Sequence, residues 1–156
     1  MTSTRQRTVL GVGFVAAFAL LVVGPCGPAA VTTFTIGGGV TEELSPGVTV
    51  ALDLELTNPH GRPLEVSDLR IRLMRVEAPN SSGARPCTER DYSLGQAPSN
   101  LRLTVAPNST LSLSGLGVEP AGRPHVGMRN LKVNQDGCQG ATLTFRYTAS
   151  GSLSET

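Results

Sequence analysis

Residues 134–147, reading NQDGCQGATLTFRY, decide the fold. A polar, glycine-bearing loop with one cysteine runs directly into strict alternation. Leu143, Phe145 and Tyr147 fall on one side; Thr142, Thr144, Arg146 and Thr148 fall on the other. A period of two marks a half-buried β-strand. The loop before it holds Asn134 and Asp136, whose side chains bond nearby backbone in tight turns, with Gly137 expected at positive φ. Its oxygens suit calcium in kind but not in number: one carboxylate is few for a cation that takes six to eight oxygen ligands. The stretch therefore reads as architecture, a capped turn followed by a closing strand.

The same alternation recurs along the chain. Val48, Val50, Leu52, Leu54 and Leu56 alternate with Thr49, Asp53, Glu55 and Thr57, after the turn Ser45-Pro46-Gly47 and before the turn Asn58-Pro59-His60-Gly61. Leu64 and Val66 are followed by Leu69, Ile71 and Leu73; the phase slips by one at Ser67-Asp68, which predicts a bulge or a corner. Arg70, Arg72 and Arg75 line the other side of that segment, expected to solvate it and to pair with Asp53 and Glu55 across a sheet. Residues 31–36 and the set Leu101, Leu103 and Val105 add further strands. Residues 118–128 carry Pro120, Gly122, Pro124 and Gly127, and so predict an edge or irregular crossing. About seven strands with no amphipathic helix after residue 30 predict an all-β sandwich. A core of Leu and Val is expected, with Phe34, Tyr92, Phe145 and Tyr147 as its aromatic members.

The bulk composition narrows the partners. The 156 residues carry a formal net charge of +1, and Arg5 and Arg7 both lie at the extreme N-terminus. Without those two, 11 basic and 12 acidic residues remain, so nothing electrostatic points to nucleic acid. The 18 glycines and 11 prolines show no period and fit turns between short strands.

Arg5 and Arg7 precede residues 9–23, which contain neither charge nor proline. A basic start before such an apolar run is the pattern of a secretory signal. As a helix the run spans about 22 Å, short of the roughly 30 Å hydrocarbon core. Gly27 and Ala29 suit cleavage after Ala29; an uncleaved anchor that borrows flanking residues is the alternative. Pro25 argues against acylation at Cys26. The expected division is a signal or anchor over 1–30, a β-domain over 31–151 and a tail over 152–156. Any membrane contact falls to residues 9–23, and the domain is extracytoplasmic in every case.

Cleavage would remove Cys26 and leave Cys87 and Cys138. An even pair in an oxidising compartment most simply forms a disulfide, with two free buried thiols as the alternative. No histidine lies near either cysteine in sequence, and a zinc site lacks ligands.

The runs at residues 56–59 (LTNP), 105–111 (VAPNSTL) and above all 134–141 (NQDGCQGA) resemble a family of exported actinobacterial proteins of unknown function. The likeness covers most of residues 34–150, and the 12 arginines against one lysine fit a GC-rich genome. It implies one immunoglobulin-like β-sandwich behind a signal or membrane segment, a cell-envelope location and a Cys87–Cys138 staple. It implies no catalytic residues.

The remaining candidate chemistry is sparse. His60 and His125 sit in Pro/Gly-rich stretches, and no Ser-His-Asp set is identifiable from spacing. His125 and Met128, with Met74 or His60, would offer copper soft ligands. With no Trp and two Tyr, an aromatic platform for carbohydrate is missing. The sequence thus predicts a non-enzymatic envelope domain with a structural, adhesive or protein-binding role and no cofactor, its partner another envelope component. A small-ligand or copper carrier is the alternative.

Overall fold

The computed structural model describes residues 32–39 and 42–154. The expected signal or anchor, with its apolar run at 9–23, lies outside the described residues. Among those described, no helix is long and apolar enough to cross a membrane.

The structure is all-β: nine strands among the described residues form three antiparallel three-stranded sheets. The first sheet has the order β1 (Thr35–Gly37), β3 (Glu55–Asn58), β7 (Ser109–Ser112). The second has β2 (Thr49–Ala51), β8 (His125–Met128), β5 (Tyr92–Gly95). The third has β6 (Arg102–Val105), β4 (Leu64–Glu77), β9 (Thr142–Leu153). All three feed one cluster of buried apolar side chains, including Ile36, Val50, Leu56, Val66, Leu103, Val126 and Phe145.

The strand count exceeds the expected seven by two: one alternating run serves two sheets, and β5 was not among the expected strands. Residues 48–57 keep their period of two, and Val50, Leu52, Leu54 and Leu56 are all buried. Only Val48, 38% exposed, escapes the pattern. The run nevertheless changes partner midway. Leu52 N–H donates to Pro124 O beside the second sheet, whereas Leu54 O accepts from Leu113 N–H beside the first. Periodicity reports which face is dry and says nothing about which neighbour supplies the ladder.

Two turns behave as their residues require. Gly47 takes φ 86° after Pro46, and Val48 N–H closes the turn on Ser45 O at 2.9 Å. Asn58 Oδ1 accepts from His60 N–H at 3.0 Å, an Asx turn. The predicted slip at Ser67-Asp68 is present: the β4–β9 register shifts between Ser67 and Arg70, and Asp68 adopts φ 52°.

Residues 118–128 depart from expectation. Their last four form β8, the central strand of the second sheet. Pro120 and Gly122 are taken up in a 3-10 turn and Pro124 precedes the strand, so no proline interrupts the ladder. Gly127 leaves room there for the hydroxyls of the two flanking strands: a Cβ would lie 2.6 Å from Thr49 Oγ1 and 2.9 Å from Ser93 Oγ, and both would have to shift. His125 accordingly stands on a strand and not in a turn. Of the strand expected over 31–36, the described residues pair at Thr35–Gly37, and residues 32–34 stay outside the ladder.

Candidate functional site

Cys87 and Cys138 form a disulfide that joins positions 51 apart, with Cα atoms 5.0 Å from each other. The surrounding polar groups are arranged around this staple. Gln135, 6% exposed, donates from Nε2 to Asp91 Oδ1 at 3.0 Å and accepts Leu131 N–H at 3.1 Å. The other Asp91 oxygen accepts Thr88 N–H at 2.8 Å, completing a capping box on the 3-10 turn Glu89–Asp91. Asn134 Oδ1 accepts Asp136 N–H at 2.8 Å, so the Asn134 and Gln135 side-chain oxygens already serve backbone donors.

Gly137 is needed for closeness and not for a positive φ, which Gly140 adopts instead at 69°. A Cβ on Gly137 would lie 1.9 Å from Arg85 O. The loop therefore packs its bare backbone against the strand-like loop leading into Cys87, and the disulfide fixes that contact.

The cluster Cys87, Asp91 and Cys138 has metal-ligand spacing, the one such group among the described residues. Its two sulfurs are bonded to each other, which explains their proximity without an ion. Tyr92 Oη lies 3.6 Å from Cys87 Sγ, and burial, helped by the Asp91 charge, pushes its phenol up to about 12.

The histidine and methionine candidates are dispersed. His60 Nε2 lies 2.8 Å from Thr33 O. His125 and Met128 are three positions apart on β8 and so project to opposite faces. Met128 is buried in the core, and Met74 is 40% exposed on β4, a strand of another sheet.

Asp53 marks the point where residues 48–57 change sheets. It accepts Ser114 N–H at 2.8 Å and faces Arg123 Nη1 at 3.6 Å, while Arg123 Nε donates to Val118 O at 2.7 Å. Burial raises the Asp53 carboxyl, but the two Ser114 hydrogen bonds and the Arg123 charge outweigh it, leaving it below its ordinary value of 3.8.

The arginine row is arranged differently from expectation. Arg70, Arg72 and Arg75 lie on β4 in the third sheet, whereas Asp53 and Glu55 belong to the β2–β3 run. The expected cross-sheet pairing does not occur. Arg75 instead bonds Glu77 on its own strand, at 3.0 Å between exposed side chains. The register sets Arg70 opposite Thr148 and Arg72 opposite Arg146. Arg70, Arg72, Arg146 and Thr148 border a shallow groove of about 530 Å³, closed at one side by Gln96. Gln96 bonds both backbone groups of Ile71, accepting its N–H at 2.9 Å and donating to its O at 3.0 Å. Sequence reasoning put two of these arginines, Arg70 and Arg72, in a row with Arg75. It missed Arg146, because cross-strand register is not written in local periodicity.

Compared with known proteins, the chain matches no family model, no curated protein and no solved structure.

Proposed function

We propose that the protein is a non-enzymatic, exported or membrane-tethered domain of the cell envelope, an immunoglobulin-like β-sandwich that engages another envelope protein. The observation that supports export is the Cys87–Cys138 disulfide, since such bonds persist in oxidising compartments and are rare in the cytosol. Residues 1–30, as signal or anchor, set the domain on the outer side of the membrane.

A sheet edge supports the binding role. Strand β6 pairs with β4 only from Leu64 to Ser67. Beyond that point, among the described residues, no strand is hydrogen-bonded to that edge of β4, which takes the Gln96 side chain at Ile71. Open main-chain donors and acceptors on an edge are what an added strand uses, with side-chain pockets giving selectivity. Leu73, Met74 and Val76 lie along this segment and supply partly exposed apolar contacts.

A photo-crosslinking amino acid at Met74, introduced into the full chain in its native host, tests the reading. Irradiation of intact cells is expected to give one discrete adduct with an envelope protein, and added protease is expected to digest the domain from outside. A domain protected until the cells are lysed would overturn export. Smeared or absent adducts at Met74, with the domain surface-exposed, would overturn the edge as the binding element.

A further inference from the structure

The arginine groove on the outer face of the third sheet breaks a general rule of strand pairing. Like charges directly opposite on neighbouring strands cost stability, and natural sheets avoid them. Here Arg72 faces Arg146 across the β4–β9 ladder, with Arg70 two positions further along the same face. Side chains directly opposite start roughly 5 Å apart, and those two positions apart on one strand roughly 7 Å apart. Three guanidinium groups thus rise from one small patch.

Asp68, at the bulge two positions before Arg70, is the carboxylate nearest in sequence to Arg70 and Arg72. Among the described residues neither forms an ion pair, whereas Arg75, the next arginine along, bonds Glu77. The charge is local and not a property of the chain, which carries 11 basic and 12 acidic residues once Arg5 and Arg7 are set aside. The patch is also built on a fixed backbone. Ile71, between Arg70 and Arg72, is held by β9 on one side and by both amide bonds of Gln96 on the other. Thr148 adds a hydroxyl donor opposite Arg70.

We infer that this groove binds a tetrahedral oxyanion, a phosphate or sulfate group, held by Arg70, Arg72 and Arg146. Guanidinium forks match such groups in pairs of parallel hydrogen bonds, and one dianion has enough acceptor oxygens to bring three forks together. A spread-out polyanion would instead call for cations spaced along the strand, and Glu65 and Glu77 stand toward its two ends. The group is either a free inorganic ion or the phosphoryl end of a larger surface molecule. This proposal is independent of the strand edge that carries the proposed function.

Titration of the full chain in a zwitterionic detergent, at constant ionic strength, tests it. Inorganic phosphate is expected to give saturable heat by calorimetry and saturable amide shifts at Arg70, Arg72, Arg146 and Thr148; sodium chloride is expected to give neither. Arg72→Gln is expected to weaken phosphate at least tenfold, because one of the three forks is gone. Arg75→Gln is expected to leave binding unchanged. Glycerol 1-phosphate binding more tightly than inorganic phosphate would identify the larger molecule as the source; the reverse order would identify the free ion. Shifts that do not saturate, that chloride reproduces, or that survive Arg72→Gln would overturn the site.

Discussion

Asn58 spends its whole side chain on backbone partners. It is fully buried at the end of β3, and its amide protons are shared among Arg62 O, Val105 O and Ala106 O at 2.9 to 3.1 Å. Its oxygen holds the turn at His60. One side chain thereby joins the first sheet to β6 of the third. Asn58→Ala would leave several buried groups without partners, at a cost of about 3 kcal/mol. Urea denaturation of the variant measures it, and a loss below about 1 kcal/mol would contradict the role. Asp53 gives a second residue-scale expectation. Its folded value lies below 3.8, so its contribution is fully present above about pH 4 and is lost as pH falls through the folded value. The group is partly exposed, so the effect is small. Asp53→Asn is expected to flatten the stability profile below pH 4 relative to the parent protein; identical acid limbs would remove Asp53 from that account.

At the scale of the element, the sequence disclosed faces better than partners. The dry faces of residues 50–57, 101–105 and 142–147 follow from alternation alone, because burial on one side of a strand selects side chains at every second position. The slip at Ser67-Asp68 was legible for the same reason. What alternation omits is the identity of the neighbour. It did not reveal that residues 48–57 divide between two sheets, that β8 is central, or that Arg146 stands opposite Arg72. Those facts depend on pairings dozens of positions apart. The loop around Gly137 was half legible: the Asn134 cap follows from residue type, whereas the close approach to Arg85 does not. The staple there is open to direct measurement. By chain entropy, closing positions 51 apart is worth about 4 kcal/mol. Cys138→Ser is expected to lose about that much in oxidising buffer, and the parent protein is expected to lose the same amount on reduction. Equal stability of variant and oxidised parent would show that the loop contact holds without its covalent tie.

At the scale of the whole molecule, both tyrosines serve as reporters of the single core. Tyr92 and Tyr147 are the only two in the chain, and burial lifts each phenol to about 12. Tyr92 sits at the disulfide, and Tyr147 Oη donates to Gly38 O at 3.1 Å, next to the first sheet. A folded-state value above the unfolded value of 10 means that this stabilisation is complete below pH 10 and disappears as pH rises toward 12. Phenolate absorbance is expected to stay flat through pH 10 and to rise only near 12, together with loss of β-structure by circular dichroism. A normal titration near pH 10 with the fold intact would show that the core is wetter than the structure indicates.

The disulfide has a mechanical consequence when the chain is pulled from its two ends. A load applied between the two chain ends passes through the Cys87–Cys138 bond and bypasses everything between them. The sequence from 88 to 137, which contains β5, β6, β7 and β8, then carries no tension even after the outer segments have been pulled straight. The oxidised chain falls short of the reduced one by roughly 170 Å of extension at full stretch. Reduction would pay out that hidden length, turning a short stiff leash into a long one.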